Sequence, residues 1–117
     1  MERPNIKRPW GGYTILQKAS SFWVKKLFIK KNARTSLQSH HLRNEIWFVL
    51  SGTVIVQIGK KEHLAKAGDL FFIPKKQKHR LTGKQRACIL EFAFGKVLER
   101  DIIRYDDDYN RHRTTIG

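Results

Sequence analysis

Residues 45–58 read Glu45-Ile46-Trp47-Phe48-Val49-Leu50-Ser51-Gly52-Thr53-Val54-Ile55-Val56-Gln57-Ile58. Two runs of β-branched and aromatic residues flank a Ser-Gly pair, the signature of two antiparallel strands joined by a tight turn. The same pattern continues outward in both directions. Tyr13–Leu16 and the longer Phe22–Ile29 precede it. After it, Gly59-Lys60-Lys61 turns into a short run ending at Lys66, and Ala67-Gly68-Asp69 turns into Leu70–Ile73. Pro74 stops that strand because it has no N–H to give to a ladder. Arg86–Phe94 is the last strong run, and Val97–Arg100 alone suggests a brief helix. Short strands at regular spacing with glycine-bearing turns predict an all-β sandwich or barrel.

A chain of 117 residues predicts a single domain over residues 1–117, and its 40% hydrophobic content is enough for one core. The charge is lopsided: 24 Lys and Arg against 10 Asp and Glu, a net +14. That excess points to anionic ligands such as phosphates, nucleic acid or anionic lipid. Residues 1–90 hold 19 basic and 4 acidic side chains, whereas residues 91–117 hold 5 and 6. The change in character predicts that 97–117 is an extension packing on a barrel, with the last residues, 113–117, open to being a loose tail. No apolar run approaches 18 residues, which argues against a membrane span. The N-terminus lacks the apolar core of a signal peptide, and the lone Cys88 excludes an internal disulfide framework, so a cytoplasmic protein is expected.

Four side chains with metal-binding chemistry fall at predicted strand ends: Gln38, His40, Glu45 and His79. Gln38 and His40 are two apart and share one face of an extended segment. An amide oxygen, two imidazoles and a carboxylate suit one borderline divalent cation, Zn²⁺ first, with Mn²⁺, Co²⁺, Ni²⁺ or Fe²⁺ as alternatives.

The spacing of these residues resembles a known fold family. Asn32, five residues, Gln38-x-His40, four residues, Glu45, six residues and Gly52 is similar to the first cupin motif; Gly68, five residues, Pro74 and then His79 is similar to the second. The run Ser36-Leu37-Gln38-Ser39-His40-His41-Leu42-Arg43-Asn44-Glu45-Ile46-Trp47 resembles the cupin domain of type II phosphomannose isomerases. Arg8-Pro9-Trp10-Gly11 resembles that domain's opening, and Asp101–Tyr109 its close, so the likeness covers about residues 8–111. It implies a cupin jelly roll, with the metal in the barrel mouth. It also implies interconversion of mannose 6-phosphate and fructose 6-phosphate. The family usually carries this domain behind a guanylyltransferase domain, which is absent here, so a separate guanylyltransferase chain is a possible partner. Four positions depart from the family pattern: Asn32 and Lys76 stand where it has Gly, and Leu42 and Ile46 where it has His. Asn32 is tolerable if it takes a left-handed conformation. An imidazole at position 46 would be expected near the metal carboxylate.

Aldose–ketose isomerisation needs a proton carrier, an electrophile for the developing oxyanion, and a clamp for the phosphate. Glu91, a carboxylate inside the apolar run Ile89–Phe92, is the first candidate for the proton, the alternative being an outward-facing surface Glu. Lys25 alternates with Leu27 and is a further catalytic candidate if it points inward, or a snorkelling surface Lys if not. Arg104 is the third catalytic candidate. Arg43, Arg80 and Arg111 are candidate substrate-binding residues, through bidentate contact to phosphate. Lys75-Lys76-Gln77-Lys78 is expected beside the metal mouth. Two other readings are a cupin that binds metal and a sugar phosphate without this turnover, and a basic barrel binding nucleic acid. No aromatic–basic motif for stacking bases supports the latter. Exposed sheet edges favour a homodimer.

Overall fold

The computed structural model describes residues 2–111 with the backbone of Thr114 and Thr115; the expectation for residues 113–117 otherwise lies outside the described residues. Twelve strands follow in chain order: β1 (Ile6–Arg8), β2 (Gly11–Lys18), β3 (Phe22–Ile29), β4 (Leu37–Ser39), β5 (Arg43–Ser51), β6 (Thr53–Ile58), β7 (Lys61–Lys66), β8 (Leu70–Ile73), β9 (His79–Gly83), β10 (Ala87–Gly95), β11 (Ile102–Asp106) and β12 (Thr114–Thr115). They form two six-stranded antiparallel sheets in the orders β1-β2-β3-β10-β5-β8 and β12-β11-β4-β9-β6-β7. This is the all-β cupin jelly roll expected from the sequence.

Strand alternation explains why the interior has two characters. Along β3 the inward residues are Trp23, Lys25, Leu27 and Ile29; along β5 they are Arg43, Glu45, Trp47 and Val49. On β10, between those two strands, Ile89, Glu91 and Ala93 face in. At one end Leu27, Ile29, Val49 and Ile89 meet Val54, Val56 and Leu81 of the opposite sheet in a single apolar core. At the other end the same inward rows carry Lys25, Arg43, Glu45 and Glu91. An ordinary core thus holds the sandwich together and leaves one polar, enclosed end. Burying charge there is costly unless each group is paired, and the pairing is what defines the site.

Turn chemistry fixes the strand registers. Gly52 has φ +80°, and a Cβ there would lie 2.0 Å from the Arg86 carbonyl oxygen, so only glycine lets the β5–β6 turn pass under the start of β10. Asn32 and Lys76, which stand where the resembled motifs carry glycine, both adopt left-handed backbone, with φ of 65° and 70°. Lys76 is held there by its N–H, which donates to the His40 carbonyl at 2.7 Å.

Three expectations are corrected. Val97–Arg100 forms no helix; four residues cannot repay the cost of a helical nucleus. The segment instead crosses the polar end of the barrel, with Val97 clustered against Trp23 and Ala93. The acidic C-terminal stretch does more than pack on the barrel, because β11 pairs with β4 and so continues the second sheet. The side chain at position 46 does not approach the metal carboxylate. Ile46 lies on the outward row of β5, in register with Phe72 and Phe92, because strand neighbours of an inward Glu45 must face out. Among the described residues no helix is long and apolar enough to cross a membrane.

Candidate metal and anion site

His40 follows β4, Glu45 lies on β5 and His79 opens β9, and their ligand atoms lie within 4.8 Å of one another. Glu45 stands between the two rings, 3.6 Å from His40 Nε2 and 3.7 Å from His79 Nε2. Each imidazole is oriented from behind. His40 Nδ1 donates to the Asp101 carbonyl at 2.7 Å, and His79 Nδ1 to the Gln77 carbonyl at 2.8 Å. That fixes the tautomer and turns both Nε2 lone pairs toward the carboxylate. Burial pushes the His40 imidazole down to about 3 and the His79 imidazole down as well, so both rings are neutral at physiological pH. Burial opposes the charge on Glu45, but the Arg43 guanidinium beside it, by its charge and its hydrogen bond, holds the carboxyl well below the usual range. Two converging neutral imidazoles and one ionised carboxylate fit a divalent cation. Gln38, in register with His79, lines the same cavity and offers its amide oxygen as a further donor.

Arg43 packs against the same cluster. Its Nε donates to Glu45 Oε2 at 2.8 Å, one terminal nitrogen donates to the Leu98 carbonyl at 3.0 Å, and the other lies 3.1 Å from His40 Nε2. Trp47 Nε1 donates to the second Glu45 oxygen at 3.2 Å. Below this group, Trp23 Nε1 donates to Glu91 at 2.8 Å, and Lys25 is held by both carboxylate oxygens of Glu99 at 2.8 and 2.9 Å. The Lys25 ammonium and the Arg43 guanidinium lie 3.8 and 4.5 Å from the Trp23 ring centroid, within cation–π reach.

Glu91 and Lys25 therefore both face the cavity, and the surface alternatives for them fail. Burial and the Glu45 charge push the Glu91 carboxyl up to about 7, against the pull of Lys25, Arg43 and the Trp23 N–H. A carboxyl raised above its unfolded value binds its proton in the native state over a pH range where the unfolded chain has lost it. Native stability consequently falls as pH rises from about 4.5 to about 7. Glu91→Gln is expected to remove that fall. Thermal melts should show the variant gaining on the parent between pH 5 and pH 8, with little difference below pH 5.

The mouth of the cavity is cationic. Arg8, Arg104 and Arg111 line it together with Lys25 and Arg43, in a volume of about 220 Å³. Arg111 is tied to Asp107 at 2.9 and 3.1 Å, whereas Arg104 Nε is buried with no hydrogen-bond partner among the described residues. Burial and the neighbouring Arg111 both lower the Arg104 pKa. A buried guanidinium N–H without an acceptor, beside two like charges, is a place where an anion would be stabilised.

Two sequence expectations place residues where the structure does not. Arg80 is outside the cavity; its guanidinium is occupied by the Thr35 carbonyl at 2.9 Å and by Asp106, because it alternates with the inward His79. Lys75, Lys76 and Lys78 line a separate surface hollow near Gly59, not the metal mouth. Conversely, sequence reasoning missed Arg8, Trp23, Glu99 and Asp101. Asp101 accepts the backbone N–H groups of His41 and Leu42, both at 2.9 Å, while its own carbonyl orients His40. Trp23 alternates with Lys25 and could have been paired with it on an inward face. Glu99 and Asp101 lie in an irregular segment with no periodicity to reveal them.

The sequence profile described as mannose-6-phosphate isomerase C-terminal matches residues 2–107. The chain belongs to that family. Within relatives of this family, it is 40% identical over 109 residues to the alginate biosynthesis protein AlgA of Pseudomonas aeruginosa and 33% identical over 109 residues to the mannose-1-phosphate guanylyltransferase ManC of Salmonella typhimurium. Each match covers 91% of this chain and 23% of the relative, so the chain spans about a quarter of their length. Among solved structures, the Schizosaccharomyces pombe Cnp3 cupin domain aligns with a TM-score of 0.67 at 16% identity, covering 75% of this chain and 66% of that one. That likeness supports the fold alone.

These relatives overturn the expected activity. The resemblance implied that this chain interconverts mannose 6-phosphate and fructose 6-phosphate. The similar proteins are named for guanylyl transfer and polysaccharide biosynthesis, and this chain corresponds only to a quarter of each. The coarser statement stands: the family is associated with enzymes of sugar metabolism.

Proposed function

We propose that this member of the mannose-6-phosphate isomerase C-terminal family is a binding cupin. It would hold one divalent cation through His40, Glu45 and His79, with Gln38 as an added donor. It would take a phosphorylated sugar in the cavity beside that ion and act alongside a guanylyltransferase. One observation carries the reading: three guanidinium groups besides that of Arg43, one with an unsatisfied buried N–H, open onto the same cavity as the His-Glu-His cluster. Arg104 and Arg111 would take the phosphate, with Arg8 as the third contact, since planar forked donors match phosphate oxygens. The cation would neutralise the charge on Glu45 and hold sugar hydroxyls. Lys25 and Glu91, each already paired with a second side chain, would position the sugar by hydrogen bonding. Arg43 keeps Glu45 in place.

Isothermal titration of chelator-treated protein tests this. Zn²⁺ or Mn²⁺ should bind at one site, and His79→Ala should abolish it. Mannose 6-phosphate or mannose 1-phosphate should then bind at least tenfold more tightly than mannose, and Arg104→Leu should erase that preference. Equal affinity for the phosphorylated and free sugar, or no metal binding by the folded protein, would sink the proposal.

A further inference from the structure

The loop between β8 and β9 carries Lys75, Lys76, Gln77 and Lys78 in succession. These side chains meet Lys60 of the β6–β7 turn and Gln57 of β6 around a surface hollow of about 630 Å³. Four exposed lysines thus converge from two elements on one concavity, and no carboxylate or aromatic ring among the described residues lines it. The lysines and arginines in ion pairs among the described residues are Lys25, Lys26, Arg34, Arg43, Arg80 and Arg111, none of them at this hollow.

The backbone beneath the lysines is anchored on several sides. The Lys75 N–H donates to Asn44 Oδ1 at 3.0 Å, and the Lys76 N–H to the His40 carbonyl at 2.7 Å. The Gly59 N–H donates to the Lys78 carbonyl at 2.7 Å, which ties the two lysine-bearing turns together. The Lys78 ammonium lies 4.2 Å from the Tyr105 ring centroid, a cation–π contact that holds it to one side. Lys76 sits at φ 70°, where glycine would be free of strain. A long cationic side chain kept on strained backbone points to a use outside folding.

We propose that this hollow binds a phosphate chain, either free pyrophosphate or triphosphate or the chain of a nucleotide. Like charges gathered around one concavity repel each other, and an anion between them relieves that repulsion. A diphosphate or triphosphate concentrates several negative charges within a few ångströms, which suits four ammonium groups facing one space. Lysine serves phosphate as a point charge on a flexible stem. The amides of Gln57 and Gln77 add uncharged donors at the same wall. With no aromatic ring to stack on, a base contributes little, so the chain itself is what is recognised. The concave shape disfavours duplex nucleic acid, which is met by elements that protrude into a groove. The hollow is separate from the cavity at His40, Glu45 and His79, so this site stands independently of the sugar phosphate reading.

Isothermal titration of chelator-treated, dialysed protein at fixed ionic strength, without divalent cations, is the test. Pyrophosphate and triphosphate should bind at one site, at least tenfold more tightly than inorganic phosphate. Lys76→Gly removes an ammonium and relieves the strained backbone, so it should weaken pyrophosphate severalfold while the melting temperature holds or rises. Adding Lys78→Gln should bring the loss to tenfold or more. Adenosine triphosphate separates the sources: affinity equal to that of triphosphate admits a nucleotide, and tenfold weaker binding assigns the free chain, and either result upholds the proposal. Equal affinity for phosphate and pyrophosphate overturns it. So does an equal loss in Lys31→Gln combined with Lys84→Gln, two exposed lysines away from the hollow, because net charge would then recruit the anion. Binding lost in Arg104→Leu but kept in the lysine variants would place the chain in the cavity instead. A 20-base-pair duplex bound through the same lysines more than tenfold tighter than pyrophosphate would make the loop a nucleic-acid contact, and would also overturn the proposal.

Discussion

Arg43→Leu is expected to destabilise the metal-free protein by about 3–5 kcal/mol, because removing one partner of a buried ion pair strands the other. Arg43 and Glu45 are 7% and 1% exposed at their side chains, and among the described residues no second permanent cation hydrogen-bonds the Glu45 carboxylate. The neutral His40 and His79 cannot replace it without taking up protons that burial resists. The loss also frees the Leu98 carbonyl, loosening the segment that closes the polar end. Adding Zn²⁺ should recover a large part of the lost melting temperature in Arg43→Leu, since a divalent cation restores positive charge beside Glu45. It should recover nothing in Arg43→Leu combined with Glu45→Ala. Differential scanning calorimetry with and without metal separates the cases. A variant as stable as the parent without metal would show that Glu45 is not held as a buried charge.

Trp23→Ala is expected to cost about 3–5 kcal/mol, the range for emptying a fully buried aromatic site. Trp23 is completely buried, and only Ala93 and Val97 share its small cluster, so the surroundings have little with which to collapse into the space. The indole also supplies an N–H to Glu91 and the ring face beneath Lys25 and Arg43. Trp23→Phe keeps most of the volume and removes the N–H. It should cost clearly less than Trp23→Ala in urea melts. It should also move the Glu91 titration above about 7, because a hydrogen bond to the charged form is gone. An unchanged Glu91 titration in Trp23→Phe would refute the role of the indole N–H.

Much of the fold was legible along the chain. The runs at 22–29, 53–58 and 70–73 became strands with the bounds the sequence implied, since alternation and turn residues act locally. Gln38, His40, Glu45 and His79 were found by spacing, and the structure brings them to one cavity, because the strands that carry them have fixed lengths between fixed turns. Glu91 and Lys25 could be placed on inward rows by the same alternation, although their partners could not. The sequence alone therefore determined the strand pattern, the charge excess and the metal-type donors, all of which depend on neighbours within a few residues. Only the tertiary structure decided that Arg43 rather than solvent faces Glu45, that Arg80 is spent on Asp106, and that Arg8, Arg104 and Arg111 converge. It also decided that Glu99 and Asp101 reach back to Lys25 and to the loop at His41. Arg43 and Glu45 are only two positions apart on one inward row, but the other hydrogen bonds join residues 26 to 74 positions apart, and closing the two sheets over one another is what brings those within reach.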